Sequence, residues 1–355
     1  MKPLMLVMAG GTGGHVMPAL AVADVLRQRG VSIAWLGSEQ GIENRLVPAA
    51  DYPLHRLAVR GIRGGGLGRR LLAPFMLLGT VLAAWRIVRQ LRPVVAIGFG
   101  GYASGPGAIA ARLAGVPLII HEQNARPGMT NRVLARFAGQ VLQGFPGAFN
   151  QAMTTGNPVR KAIATLPAPA QRYSERDGAL RILITGGSQG ALALNKQLPE
   201  ALSQALSEVD FEVRHQTGRG RTDEAAHAWN GLAAKVQLSE FIDDMADAFS
   251  WADLVICRSG ASTVSEIAAA GVAALFIPLP TAVDDHQTHN ARWLSDRDAA
   301  LLLPQSGLSA DGLRARIEVL GDRKALMQMA ERARAMALPD SAATVADICQ
   351  EVAHG

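Results

Sequence analysis

Cysteine is nearly absent from this chain of 355 residues, which contains only Cys257 and Cys349. The two cysteines are far apart in the sequence, and neither belongs to a group with the spacing of metal ligands. The sequence therefore supports neither a disulfide framework nor a zinc site. A reducing cytosol is the expected compartment.

Long hydrophobic runs are also absent. The N-terminal apolar run, Leu4–Ala9, ends at two glycines before the core of a signal peptide would be complete, so we predict a buried strand. The apolar stretch 71–85 has 15 residues and contains Pro74 and Gly79, whereas a helix needs about 20 residues to cross a bilayer. The sequence thus predicts no transmembrane helix.

Acidic residues are scarce in the first half of the chain. Residues 1–157 contain 16 Lys and Arg but 5 Asp and Glu, whereas residues 158–355 contain 19 and 25, so the net charge of +5 divides into +11 and −6. A nucleic acid, an anionic bilayer or a lipid phosphate would each suit the basic half. Because no RRM, KH, zinc or aromatic stacking signature accompanies the arginines, we expect no nucleic-acid partner.

Short apolar runs alternate with amphipathic stretches, which is typical of α/β domains with parallel sheets. An apolar stripe of Leu20, Ala23 and Leu26 predicts a first helix over Pro18–Arg29, ended by Gly30. The length of 355 residues favours two domains. Strands of the first domain are predicted at Leu4–Ala9, Ser32–Gly37, Val94–Gly98, Pro117–His121 and Gln140–Gln143.

The same pattern begins again in the second half. A passage rich in Pro and Ala after Asn157, followed by a charged turn at 174–178, predicts a linker. We therefore divide the chain into an N-terminal domain, 1–160, a C-terminal domain, 161–335, and a final helix, 336–355, able to pack back on the N-terminal domain. Strands of the second domain are predicted at Leu180–Thr185, Glu212–Gln216, Lys235–Leu238, Leu254–Cys257, Ala273–Pro278 and Ala300–Leu303.

Two glycine-rich segments follow the first strand of each half, at Gly10–His15 and Gly186–Ala191. In this position small residues let backbone N–H groups and a helix N-terminus approach a phosphate. The alternative is that each segment is only a tight turn between a strand and a helix. Neither is a G-x-G-x-x-G fingerprint and no G-x-x-x-x-G-K occurs, which argues against dinucleotide and ATP binding.

A third segment, Cys257–Glu266, places small and hydroxyl residues before a helix predicted over Val264–Ala270. Hydroxyls and amides at such a helix start can bind a diphosphate, and Glu266 can accept hydrogen bonds from both hydroxyls of a ribose. The alternative is a capped helix with an exposed glutamate. In open α/β sheets ligands bind beyond the carboxyl ends of the strands, so two such sheets favour a site in the cleft between the domains.

Six motifs are shared, in order, with one known family: GGTGGH at 10–15, HEQN at 121–124, GNPVR at 156–160, GGSQGA at 186–191, FIDDM at 241–245 and RSGASTVSEIAAAG at 258–271. The chain thus resembles the MurG family, the N-acetylglucosaminyltransferases that convert lipid I to lipid II in bacterial peptidoglycan synthesis. The resemblance implies the GT-B fold, two Rossmann-like domains whose parallel sheets face a deep cleft. It also implies UDP-GlcNAc as donor, an inverting reaction, and no cofactor.

The resemblance further implies roles for individual residues. Asn124 would contact the donor sugar, Ile242 the uracil through its backbone, and Glu266 the ribose. Gln287 would read the sugar hydroxyls, with His286 as the alternative, because an amide both donates to and accepts from a hydroxyl. The other implied binding residues approach the sugar or hold the diphosphate: Thr12, Gly13, Gly14, Arg160, Ser188, Ala261, Ser262, Thr263, Val264 and Ser265.

Glycosyl transfer needs a general base for the acceptor hydroxyl, and His15 is the first candidate because imidazole titrates near neutrality. The alternative is that His15 only fixes the loop, with His121 or Glu122 as the base. Helix starts and Arg160 would offset the charge that develops on UDP, so we expect no metal. A solvated acidic turn explains the one D-x-D sequence, at 296–298.

The apolar stretch 71–85 is flanked by arginines, a combination that suits an anionic membrane surface. We predict that the region 60–92 attaches peripherally to the cytoplasmic face of the bacterial inner membrane and receives lipid I there. The alternative is a core helix with a basic, solvated end. The flanking arginines are Arg60, Arg63, Arg69, Arg70, Arg86, Arg89 and Arg92.

Two other functions compete with glycosyl transfer. A UDP-sugar 2-epimerase of the same fold would share the uridine site but would need neither an acceptor nor a membrane surface. A nucleic-acid-binding protein would use the basic half alone, against which the missing recognition motifs count.

Overall fold

The structure is a computed structural model that describes residues 2–59, 67–174, 176–187, 190–316 and 321–354, with side chains for all of these except 67–74. The chain forms two compact units. The first consists of Met1–Arg160 with Leu338–Gly355, and the second of Lys161–Ala337.

The first unit contains one parallel sheet. Its strands are β1 (Leu4–Ala9), β2 (Ser32–Ser38), β3 (Leu54–Leu57), β4 (Val95–Gly100), β5 (Leu118–Glu122), β6 (Gln140–Gln143) and β7 (Met153–Thr154). They lie in the order β3-β2-β1-β4-β5-β6-β7. Its helices are α1 (Gly13–Gln28), α2 (Glu43–Ala49), α3 (Leu67–Leu91), α4 (Ser104–Leu113), α5 (Met129–Leu134) and, near the C-terminus, α15 (Ser341–His354).

Helices cover both faces of this sheet, which explains why its central strands are continuous apolar runs. Successive residues of β1 point to opposite faces. Val7 therefore belongs to one core, together with Val22 of α1 and Val345 of α15, and Leu6 to another, together with Val88 of α3. The last helix of the chain thus packs within the first unit.

The second unit contains a parallel sheet in the order β10-β9-β8-β11-β12-β13. These strands are β8 (Leu180–Thr185), β9 (Phe211–Gln216), β10 (Lys235–Ser239), β11 (Leu254–Cys257), β12 (Ala273–Phe276) and β13 (Leu301–Leu302). The helices are α6 (Lys161–Ala164), α7 (Pro169–Ser174), α8 (Leu192–Ala205), α9 (Thr222–Trp229), α10 (Met245–Trp251), α11 (Ala261–Ala270), α12 (His286–Ser295), α13 (Ala310–Arg314) and α14 (Arg323–Ala335).

The predicted strands are confirmed, four of them (β1, β6, β8 and β11) with the predicted bounds. The first helix is longer than predicted, because it begins at Gly13 rather than at Pro18. The N–H groups of His15 and Val16 both donate to the Thr12 carbonyl, so the end of the glycine-rich segment forms the first turn. The helix α11 likewise begins at Ala261, three residues before its predicted start.

The prediction of a linker after Asn157 is wrong. Residues 161–174 contain two short helices, and the Arg172 guanidinium donates to the carbonyls of Phe249, Ala270 and Gly271. Buried polar groups need such partners, so this segment is fixed to the second unit and closes the C-terminal end of α11.

The apolar stretch near residue 75 belongs to one continuous helix, α3, of 25 residues. Within the described part of the chain, no helix is long and apolar enough to span a bilayer. Five successive residues, 75–79, are exposed, whereas Val81, Ala84 and Val88 are buried. Residues 75–79 of α3 therefore stand clear of the core, whereas the second half of the helix packs against the unit.

Candidate functional site

The glycine-rich segment of the first unit joins β1 to α1 and packs against the end of β4. Gly11 has a φ of +89°, and Gly101 has the same value, which favours glycine at both positions. A Cβ on Gly101 would overlap the Gly10 carbonyl, and one on Gly100 would lie 3.0 Å from the His15 ring. Glycines at the end of β4 thus let this strand approach the loop and its histidine.

His15 lies half-buried in the first turn of α1. Its Nδ1 is 3.2 Å from the Gly10 carbonyl oxygen and 3.5 Å from Thr12 Oγ1. A carbonyl oxygen only accepts hydrogen bonds, so Nδ1 carries the proton in the neutral ring and Nε2 carries the lone pair. This tautomer is the one that a proton acceptor acting through Nε2 requires.

Glu122, at the end of β5, was one alternative base. Its Oε1 accepts hydrogen bonds from the Asn124 N–H at 2.9 Å and from Asn124 Nδ2 at 3.1 Å. Its Oε2 accepts from the Gly128 N–H at 3.1 Å and from Asn131 Nδ2 at 3.0 Å. The side chain is almost fully buried, and four donors surround the two oxygens. This geometry suits a residue that fixes the loop carrying Asn124, rather than a proton acceptor for a substrate.

His121, the other alternative base, is the residue before Glu122 on β5 and is fully buried. Its Nε2 lies 2.9 Å from the Gly156 carbonyl oxygen and its Nδ1 lies 3.1 Å from Gln123 Nε2. The Gly156 carbonyl accepts from Nε2–H, and Nδ1 accepts from the Gln123 amide, so both ring nitrogens have partners within the protein. Burial lowers the pKa of His121 to about 4. His121 therefore joins β5 to the segment before Arg160.

The glycine-rich segment of the second unit follows β8 and is held by neighbouring strands. Gln216 Nε2 donates to the Gly187 carbonyl at 3.1 Å and to the Glu240 carbonyl at 3.0 Å. A Cβ on Gly190, whose φ is +68°, would overlap the Thr217 carbonyl. Small residues again permit close backbone packing at the carboxyl end of a parallel sheet. Ser188, predicted to hold the diphosphate, lies outside the described residues.

The first turn of α11 follows β11 after a loop of three residues, 258–260. Gly260 precedes the helix as its N-cap and has no side chain to satisfy the N–H groups of the first turn, to which Ala261, Ser262 and Thr263 belong. Arg258 donates to the carbonyls of Ile277 and Pro278 and to Gln305 Oε1. The loop is thereby fixed to the end of β12. A helix start of this kind attracts anions because the N–H groups and the helix dipole both point towards it.

The remaining residues predicted to bind the sugar donor also belong to the second unit. Val264 and Ser265 are buried in α11, and Glu266 is half-buried there. The side-chain oxygen of Gln287 accepts from the Leu279 N–H at 2.9 Å, and His286 Nδ1 lies 2.7 Å from the Val283 carbonyl. Ile242 is half-buried after β10. The structure therefore does not separate Gln287 from His286, since both begin α12.

The residues of the first unit that were predicted to bind the sugar or the diphosphate lie on three segments of the chain. Thr12, Gly13 and Gly14 form the start of α1 with His15, and Asn124 lies in the loop after β5. Arg160 is half-buried at the end of the first unit.

Asp296 and Asp298, the acidic residues of the D-x-D sequence, are exposed in the turn that follows α12. In the part of the chain that the structure describes, no group of three or more His, Cys, Asp or Glu side chains is placed to hold a metal ion. The acidic turn between a helix and a strand is confirmed.

Comparison with known proteins identifies the family. The model of the glycosyltransferase family 28 N-terminal domain matches residues 5–143, and that of the glycosyltransferase family 28 C-terminal domain matches residues 181–349. The chain belongs to glycosyltransferase family 28. The two family 28 domains correspond to the two parallel sheets described above.

Two relatives and one solved structure match this chain over nearly their full length. The UDP-N-acetylglucosamine--N-acetylmuramyl-(pentapeptide) pyrophosphoryl-undecaprenol N-acetylglucosamine transferase of Alcanivorax borkumensis is 58% identical over 100% of both chains. The enzyme of the same name from Aeromonas hydrophila is 52% identical over 100% of this chain and 98% of its own. The crystal structure of Acinetobacter baumannii MurG has a TM-score of 0.86 and 43% identity, covering 99% of this chain and 100% of that one. The resemblance to the MurG family and the GT-B fold are thus confirmed.

Sequence reasoning did not identify several residues that hold the family 28 loops in place. Glu43 is fully buried against the first glycine-rich segment, and Gln216 and Arg258 fix the second and third segments. The only sequence signal for Glu43 is the pair of glycines near it, Gly37 and Gly41. Arg258 lies within the motif at 258–271 and Gln216 at the end of a predicted strand, but their partners are distant in the sequence.

Proposed function

We propose that this protein transfers N-acetylglucosamine from UDP-N-acetylglucosamine to the MurNAc 4-hydroxyl of undecaprenyl-diphospho-MurNAc-pentapeptide, lipid I. The product is lipid II, a precursor of peptidoglycan. The observation that carries the proposal is 58% identity, over both full lengths, to a relative named for this transfer. The loops at the carboxyl ends of both sheets are compatible with it, because they present helix starts and small residues suited to a nucleoside diphosphate sugar.

The second unit supplies the contacts proposed for the donor nucleotide. The N–H groups at the start of α11 face the diphosphate, and Glu266, one turn later, accepts from the ribose hydroxyls. Ile242 contacts the uracil, and Gln287 reads hydroxyls of the sugar. The contacts of Arg160 with the diphosphate stay predictions from the family resemblance. The same is true of the contacts predicted for the two glycine-rich segments, including that of Ser188.

The first unit supplies the proposed base. His15 Nε2 accepts the proton of the MurNAc 4-hydroxyl as that oxygen forms a bond to C1 of the donor sugar. The bond from C1 to the diphosphate oxygen breaks, and UDP leaves with the electron pair. Attack from the face opposite UDP inverts the configuration at C1. The imidazolium that forms is stabilised by the hydrogen bond from Nδ1–H to the Gly10 carbonyl.

Transfer with labelled UDP-N-acetylglucosamine and a lipid I analogue tests the proposal. We expect the labelled sugar in the lipid product at the same rate with and without EDTA, because helix N–H groups and arginine replace a metal in stabilising UDP. Label found in UDP-N-acetylmannosamine instead would identify a 2-epimerase. Loss of transfer in EDTA, restored by Mg²⁺, would contradict the metal-independent mechanism.

We further propose that α3 attaches the protein to the cytoplasmic face of the inner membrane, where lipid I is presented. Phe75, Leu78 and Leu82 are 73%, 58% and 47% exposed, and Arg86 and Arg89 are exposed one to four turns further along the same helix. Exposed apolar side chains beside cations suit the boundary between head groups and acyl chains. Arg60 and Arg63 lie outside the described residues, as do the side chains of Arg69 and Arg70.

Replacing Phe75, Leu78 and Leu82 together by serine is expected to lower binding to anionic vesicles at least tenfold, since each buried side chain contributes about 1.5–3 kcal/mol. Co-sedimentation measures this. Met153→Ser is the matched control, because Met153 is also exposed, at 52%, but lies on β7. Turnover of a water-soluble acceptor analogue should stay the same in both variants. Equal sedimentation of the triple variant and the wild type would contradict attachment through α3.

A further inference from the structure

Glu43 is a fully buried carboxylate at the start of α2. Its Oε2 accepts a hydrogen bond from the Gly11 N–H at 2.9 Å, and its Oε1 accepts one from the Ser38 N–H at 3.0 Å. The Ser38 hydroxyl lies 2.6 Å from the same Oε1 and 2.7 Å from the Gln40 carbonyl, so its one hydrogen is shared between two acceptors. The carboxylate thus joins the end of β2 to the glycine-rich segment after β1.

Three glycines enclose this carboxylate. A Cβ on Gly10, Gly37 or Gly41 would come within overlapping distance of the Glu43 side chain. The backbone can approach the buried charge on several sides only because these positions lack side chains. Such an enclosure holds the two carboxylate oxygens in one orientation.

The Gly11 N–H and the Gly10 carbonyl belong to the same peptide unit, which is trans. In a trans peptide the N–H and C=O bonds point in opposite directions within one plane. On one side the N–H donates to Glu43, and on the other the carbonyl accepts from His15 Nδ1 at 3.2 Å. A single rigid plane therefore connects the buried carboxylate to the proposed base.

We propose that Glu43 is a positioning residue for His15, acting through the Gly10–Gly11 peptide. It fixes the orientation of the peptide plane, and its negative charge polarises the peptide so that the carbonyl binds Nδ1–H more strongly. In a Ser-His-Asp triad a carboxylate contacts Nδ1–H directly to set the tautomer. Here one peptide unit stands between the two groups. The inference rests on the proposed role of His15 in glycosyl transfer.

Glu43→Gln is the first test. The amide nitrogen of glutamine cannot accept, so the Gly11 N–H or the Ser38 N–H loses its partner and the peptide plane is no longer fixed. We expect kcat to fall about 100-fold, the size of effect that a displacement of about 1 Å produces at a reacting group. The KM for UDP-N-acetylglucosamine should stay within about twofold, because the contacts proposed for its nucleotide, at Ile242 and the start of α11, lie in the second unit. Glu39→Gln is the matched control, since Glu39 is exposed in the loop that joins β2 to α2.

A double-mutant cycle with His15→Ala separates positioning from a general structural defect. If Glu43 acts through His15, Glu43→Gln lowers kcat in the wild type but has no further effect in the His15→Ala background. Glu43→Asp, which keeps the charge but is one methylene shorter, should give a smaller loss that also vanishes in that background. Equal losses in both backgrounds would overturn the inference.

Nitrogen NMR of the His15 imidazole, assigned by its absence in His15→Ala, gives a readout independent of activity. We expect the Nδ1–H tautomer in the wild type and in Glu39→Gln, and a mixture of tautomers in Glu43→Gln. An unchanged tautomer in Glu43→Gln would overturn the inference. A wild-type protein without transferase activity would instead contradict the proposed function, and the tautomer measurement would still test the link between Glu43 and His15.

Discussion

His15→Ala is expected to lower kcat by about 10²- to 10⁴-fold, the usual contribution of a positioned general base. The reason is geometric. The Nδ1–H bond to the Gly10 carbonyl leaves the lone pair on Nε2, whereas His121 and Glu122 are both engaged by neighbouring loops. The KM for UDP-N-acetylglucosamine should change less than about twofold, because the imidazole is not a proposed nucleotide contact. Steady-state kinetics with a lipid I analogue measures both values.

His227→Ala is the control for this variant. His227 is exposed on α9, and in the sequence it belongs to neither glycine-rich segment. It should leave kcat unchanged. If His15 only fixes the loop, His15→Ala would lower the thermal stability and raise KM, with little effect on kcat. Full turnover by His15→Ala would remove this residue from the mechanism.

Glu122→Gln is expected to destabilise the protein. Each carboxylate oxygen of Glu122 accepts two hydrogen bonds, so an amide nitrogen at either position leaves the donors of two partly or fully buried hydrogen bonds without an acceptor. At about 1–3 kcal/mol for each donor, the thermal midpoint should fall by about 5–20 °C. Scanning calorimetry measures this shift. The exposed Glu39 provides the control variant, Glu39→Gln, which should melt like the wild type.

The same variant distinguishes the two roles considered for Glu122. A general base accepts a proton from the substrate. If Glu122 were the base, Glu122→Gln would therefore lower kcat without lowering the stability of the fold. A residue that fixes the loop would instead lose stability when its acceptor oxygen is replaced. An unchanged thermal midpoint together with a large loss of kcat would therefore restore Glu122 as a candidate base.

The sheets were predictable because their strands are apolar runs bounded by glycine or polar residues. β1 and β8 show this most clearly, each ending at a glycine-rich segment. β3 and β7 were not predicted, since Leu54–Leu57 and Met153–Thr154 are short and partly exposed, and only pairing with neighbouring strands makes them strands. The linker prediction failed because composition does not reveal the distant carbonyls that Arg172 contacts.

The candidate site was predictable only where its chemistry is local. A glycine-rich segment between a strand and a helix can be recognised in the sequence, and so can a histidine at the end of that segment. The residues that hold such segments depend on which strands become neighbours. Glu43 contacts Gly11 because β1 pairs with β2, and Gln216 contacts Gly187 because β8 pairs with β9. Their contacts therefore follow from sheet order, which periodicity does not give.

The central claim is that the start of α11 in the second unit binds the donor diphosphate, and a crystal structure with UDP tests it most directly. We predict phosphate oxygens within hydrogen-bond distance of the first-turn N–H groups of α11, Glu266 against the ribose hydroxyls, and uracil against the backbone of Ile242. A nucleotide bound elsewhere, with Glu266 in solvent, would contradict the account.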